Sequence, residues 1–158
     1  MATLPIFVVH VQALRRCLGP HERRVKGYPE VPKTIGEHLR KRRLDLGLTQ
    51  KQSARRFGIS VTAYNGWEAS RIKPGIARWP AVVAFLGDDP NPKPRTFGEA
   101  LRAMRWLHGL NRRQLAAKLG VDVKSVLNWE TGRTRPVPAH RRSLLRLSPT
   151  WRTLFVMP

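Results

Sequence analysis

Arginine and lysine are the side chains with which this sequence is best equipped to act. Thirty of them stand against ten Asp and Glu, which gives 158 residues a formal net charge of +20. Such a charge repels itself in any compact state until a polyanion neutralises it; nucleic acid is the commonest one, an anionic membrane surface the next. Little else in the inventory assembles into reactive chemistry. The ten acids are scattered, without the pairing that acid/base catalysis or a metal-assisted nuclease needs. His38, His108 and His140 have no Ser, Cys or paired carboxylates arranged about them, and the glycines never form a phosphate-cradling loop. Cys17 with His10 and His21 is the one set with a hint of metal spacing, and a single thiol with two imidazoles is a poor zinc site. That lone Cys also excludes an internal disulfide and a Cys-rich zinc module. The expectation is no catalytic residue, no metal and no cofactor.

These charges sit on a chain that repeats itself. With 41% hydrophobic and 25% charged residues it falls in the globular range, which excludes a wholly disordered basic tail. Residues 34–74 match residues 96–136 at a constant offset of 62 without a gap, and 16 of the 41 positions are identical. The chain is therefore two copies of a unit of about 60 residues, a size that can just hold its own core. The divisions expected are an extension at 1–33, partly flexible; a first copy at 34–87; a Pro-rich, semi-rigid linker at 88–95; a second copy at 96–147; and a tail at 148–158.

The punctuation inside each copy is helical. Ile35, Leu39 and Leu46 fall near helical spacing and run into Gly47, a stop signal. Thr49-Gln-Lys-Gln52 and Asn111-Arg-Arg-Gln114 have the capping-box form, which opens second helices at about 50–57 and 112–119, stopped by Gly58 and Gly120. Ser60 and Asp122 then cap third helices that run through Trp67-Glu68 and Trp129-Glu130. Further short helices are expected at 80–86 and 138–147. Strict strand-type alternation is confined to 6–11. Helix, three-residue turn with Gly, helix is the helix-turn-helix pattern.

At this point the chain resembles the Cro and phage-repressor class of helix-turn-helix domains, twice over. The resemblance rests on the segment from Thr34 to Gln50, on Phe57-Gly-Ile-Ser60 with Trp67-Glu68, and on the partner segments ending in Asn128-Trp-Glu-Thr-Gly-Arg-Thr-Arg-Pro136. It implies an all-α fold of about five short helices per copy, binding to double-stranded DNA and a role in transcription in a bacterium or phage. It also implies that the third helix of each copy enters the major groove. The base-facing positions would be Ser60, Val61, Thr62, Asn65 and Gly66, then Asp122, Val123, Lys124, Leu127 and Asn128. Those nearest bases would be Val61, Thr62 and Gly66, matched by Val123, Lys124 and Asn128. Lys124 can donate to guanine, Asn128 can pair with adenine, and Val61 and Val123 can meet a thymine methyl. Phosphates would be held by Thr49, Gln50, Arg71 and Lys73, and by Asn111, Arg112, Arg133 and Arg135. Arg43 with Glu68 and Arg105 with Glu130, both 25 residues apart, would bridge the first helix to the end of the third. Trp67, Trp129, Tyr64 and Val126 fall on the inner face.

The copies depart from the pattern unequally. Ser53 stands where the second copy has Leu115 and the family an aliphatic core residue, and Gly66 costs about 1 kcal/mol inside a recognition helix. The second copy is thus expected to read bases and the first mainly to grip backbone; His108, where the first copy has Leu46, is the second copy's own blemish. The reading is a DNA-binding regulator, simplest as a repressor by occupancy, with the tandem acting as a dimer within one chain or as a further homodimer. Two alternatives stand beside it. One is a protein-binding adaptor or antitoxin-like factor gripping its partner through residues 1–33, apolar at 4–14; the other is sequence-indifferent nucleic-acid binding. No apolar run reaches the 18 to 20 residues of a membrane span, and Arg15 and Arg16 stand where a signal peptide needs small residues, so a cytoplasmic, nucleoid-associated protein is expected.

Overall fold

The computed structural model describes residues 27–148. The alternating stretch at 6–11, the His10, Cys17 and His21 set, the apolar 4–14 segment and the residues from 149 onward lie outside them. Among the described residues the elements are α1 (Ile35–Asp45), α2 (Gln50–Phe57), α3 (Val61–Glu68), a 3-10 turn (Ile76–Arg78), α4 (Trp79–Leu86), α5 (Phe97–Leu107), α6 (Arg112–Leu119), α7 (Val123–Glu130) and α8 (Pro138–Leu147). With its 3-10 turn the first copy has five helical elements; the second has four within the described residues. No described helix is long and apolar enough to cross a membrane.

Side-chain caps decide where α1, α2, α3, α5, α6 and α7 begin, whereas α4 and α8 carry Pro in their first turn. The boxes expected at Thr49 and Asn111 form: Gln52 N–H donates to Thr49 Oγ1 at 3.2 Å and Thr49 N–H donates back to Gln52 Oε1 at 2.8 Å, and Asn111 with Gln114 does the same at 2.8 Å both ways. Two more open α1 and α5, Thr34 with Glu37 and Thr96 with Glu99. Their T-x-x-E signal stands in both copies. At the other end, Gly58 and Gly120 take φ of +61° and +65°, where a side chain would be strained, so α2 and α6 stop there. Residues 28–33, assigned to the extension, are tied to α1. Tyr28 donates to Asp45 Oδ1 at 2.6 Å, which pushes its phenol up to about 12, and Lys41 Nζ donates to the Glu30 carbonyl at 2.8 Å.

Each copy closes around its own apolar cluster, Leu39, Phe57, Tyr64, Trp67, Trp79 and Val82 in the first, and Leu101, Met104, Leu115, Val126, Trp129 and Leu144 in the second. Both recognition-helix tryptophans are core, as expected. The first helix crosses the third at backbone contact: a Cβ on Gly36 would collide with the Trp67 carbonyl, and one on Gly98 with the Glu130 carbonyl. The repeat keeps Gly at both positions because no other residue fits.

Ser53 turns out to have a packing reason. It is fully buried against the Tyr64 phenol, whose own titration burial pushes far up, and neither hydroxyl has a well-formed hydrogen bond. The corresponding pair in the second copy is Leu115 with Val126, both fully buried. One copy fills the site with a small and a large residue, the other with two of middle size. Ser53→Leu is expected to overpack the first copy by about 1–3 kcal/mol, and adding Tyr64→Val to recover most of it. Urea unfolding of both single variants and the double checks this; simple additivity would count against the paired packing.

Candidate nucleic-acid interface

A buried carboxylate at the end of each third helix sets the geometry of the exposed face. Arg43 on α1 donates from Nε and Nη2 to Glu68 at 2.5 and 3.1 Å, and from Nη1 to the Leu48 carbonyl at 3.0 Å. Arg105 on α5 donates from Nε to Glu130 at 2.5 Å and from Nη1 to the Leu110 carbonyl at 3.0 Å. The bridge implied by the resemblance is present in both copies, and it extends to the second helix. Gln50 Nε2 donates to Glu68 Oε2 at 2.9 Å; Arg112 Nε donates to Glu130 Oε2 at 2.7 Å. One carboxylate therefore ties the first helix, the N-terminus of the second and the end of the third. This holds the helix-turn-helix angle while the opposite side of α3 or α7 stays open.

Every residue expected at base or backbone except Gly66 lies on the surface or half-buried. Thr49, Ser60, Asn111 and Asp122 spend a side-chain oxygen on capping, with Ser60 accepting from Ala63 N–H at 3.1 Å and Asp122 from Lys124 N–H at 2.7 Å. Val61 and Val123, the first residues of α3 and α7, are 43% and 41% exposed. Exposed apolar methyls at the same point of both copies suit contact with a thymine methyl. Thr62 and Lys124 are exposed one residue on. The side chains of Lys124, Asn128, Arg133 and Arg135, and of Lys73 in the first copy, make no bond within the described residues.

Two expectations for α3 change. Gly66, assigned to the outer face, is buried, because Ile72 from the following loop folds over it: a Cβ there would come 3.1 Å from Ile72 Cδ1. The second copy has Asn128 and Thr134 at these positions, so a large loop residue fills the space that the glycine leaves. Asn65 is engaged internally. Its Nδ2 donates to Gln50 Oε1 at 3.3 Å, and its Oδ1 accepts from Arg71 Nη2 at 2.5 Å. A chain of bonds thus runs from Glu68 through Gln50 and Asn65 to Arg71, joining the second helix, the recognition helix and the loop behind it. No sequence signal announced this chain, since Arg112 and Leu127 stand at the corresponding positions of the second copy and cannot make it.

Each copy exposes the caps that open its second and third helices, Thr49 and Ser60 or Asn111 and Asp122, and the cations of the loop beyond, Arg71 and Lys73 or Arg133 and Arg135. A family model described as helix-turn-helix matches residues 39–87 and again residues 101–138, together more than half of the chain. No curated protein and no solved structure matches it.

Proposed function

Because the chain belongs to the Cro/C1-type helix-turn-helix family over both of its copies, and that family binds DNA, we propose that it is a sequence-specific regulator of transcription that reads two adjacent, unlike half-sites in the major groove. Its simplest action is repression by occupancy of a promoter. The asymmetry between the recognition helices is the observation that carries this reading. α7 offers Lys124 and Asn128 unspent, whereas α3 offers Thr62, a covered Gly66 and an Asn65 already bonded to Gln50 and Arg71. The second copy would read by hydrogen bonding to guanine and adenine, the first by Val61, Ser60 and Thr62 with less discrimination. Arg71, held against Asn65, with Lys73, Arg133 and Arg135, would grip phosphates beside the N-termini of α2 and α6. Arg112, though bonded to Glu130, keeps a 40% exposed side chain with spare N–H groups. A symmetric homodimer must read a palindrome; a covalent tandem with unlike helices need not.

Salt dependence tests the backbone part of this assignment. If both copies together neutralise about ten phosphates, log Kd against log salt should have a slope of magnitude near 9. Arg133→Ala with Arg135→Ala is expected to lower that magnitude by about 2 and to weaken preferred and non-preferred duplexes alike. A loss confined to the preferred duplex would remove both arginines from the backbone contacts.

A further inference from the structure

The copies are joined by more than the linker. α4 of the first packs on α5 of the second, and the contact is aromatic, with the Trp79 and Trp106 rings edge to face at 5.1 Å between centroids and 80° between planes. Trp79 is fully buried. Trp106 packs on the first copy's core and takes no part in the core of its own. Beside it Gly109, at φ +65°, lies against Pro80 and Ala77, so that a Cβ would come 3.2 Å from the Pro80 ring; its counterpart Gly47 has nothing within 4 Å. The repeat breaks at these points. Trp106 stands where the first copy has Leu44, and Trp79 where the second copy has Arg141. Trp106, which has no place in its own copy's core, instead covers a ring of the first copy's core, which favours the docked arrangement by apolar burial.

The docking bears on the DNA-facing side. A cleft of about 590 Å³ is lined by Ile76, which follows the loop bearing Arg71 and Lys73, and by Asn111, Arg112 and Val123 at the starts of α6 and α7. The first copy thus reaches, through Ile76, the edge of the second copy's proposed DNA-contacting face. The eight linker residues at 88–95 could by themselves span about 26–29 Å, enough to slide one copy past the other by several base pairs at about 3.4 Å each. The aromatic contact removes that freedom.

We propose that Trp106 is a positioning residue: seated on Trp79, it holds α7 at one offset from α3, so that the protein accepts its two half-sites at a single spacing. This rests on the reading of the chain as a two-site DNA binder. The test takes the preferred duplex, adds or removes one to five base pairs between its halves, and measures Kd at fixed salt for the full chain, Trp106→Ala and Trp106→Leu, the last being the first copy's own residue. The unsubstituted protein is expected to lose at least about tenfold at every altered spacing. Either variant should flatten the profile to within about threefold, because the second contact is then limited by the linker alone. Trp106 lies outside its own copy's core, so each variant should still bind isolated half-sites as the parent does, which separates mispositioning from misfolding.

A DNA-free measurement runs in parallel. Amide relaxation should give one tumbling time for both copies in the parent and two in Trp106→Leu. A parent that tolerates many spacings, or variants that keep the parent's sharp preference, would overturn the proposal. If no duplex is preferred at all, the DNA reading has failed, and tumbling alone decides the lock: independent tumbling in the parent overturns it, and one rate that Trp106→Leu splits sustains it.

Discussion

Glu130→Ala is expected to cost the second copy about 3–5 kcal/mol, the usual consequence of removing one partner from a buried ion pair. The carboxylate is fully buried and Arg105 only 5% exposed, so neither charge can turn to water when the other is lost. Arg112 is released as well, and with it the hold on the N-terminus of α6. A unit of about 60 residues sits toward the low end of domain stability, roughly 5 kcal/mol, so a loss of this size leaves the second copy partly unfolded at 25 °C. Glu68→Ala should act the same way but less strongly, since Arg43 is 12% exposed and the second partner is the neutral Gln50. Urea unfolding followed by circular dichroism checks both; a cost under about 1 kcal/mol for Glu130→Ala would mean the carboxylate is not the tie among three helices.

The largest effects on recognition are expected at Lys124 and Asn128. Each alanine substitution should cost about 1–3 kcal/mol on the preferred duplex, or roughly 5- to 150-fold in Kd, and relax discrimination at one base pair while leaving non-preferred duplexes almost untouched. Thr62→Ala in the first copy should move affinity far less, as that helix has fewer donors to lose. Competition binding against duplexes changed at one position at a time distinguishes these outcomes. A uniform loss across all duplexes would place Lys124 on a phosphate.

The contrast between the two helices shows what the sequence could and could not disclose. Internal repetition located the bounds of α2, α3, α6 and α7 because caps and stops are local: a hydroxyl or amide three residues before Gln, and a Gly free to take positive φ. The charged pairs followed from the family resemblance, and the tryptophan cores from their place on the apolar face of each copy. What escaped was correlated change. Ser53 was legible as a defect only until Tyr64 was seen filling the space it leaves, and Gly66 as a gap until Ile72 was seen covering it. Both exchanges stand in the alignment of the copies, as Leu115 with Val126 and Asn128 with Thr134, yet their meaning depends on which side chains touch. The bonds from Gln50 through Asn65 to Arg71, and the contact of Trp79 with Trp106, join elements that no local rule connects.

The most direct test is selection of bound duplexes from a random library at about physiological salt, using the full chain, followed by sequencing. The account predicts two linked, non-identical motifs at one fixed spacing, one of which loses its enrichment when the selection is repeated with Lys124→Ala and Asn128→Ala together. Retained DNA without an enriched motif, or two identical inverted motifs, would contradict it: the first would leave only charge-driven binding, the second a symmetric homodimer in place of the asymmetric tandem.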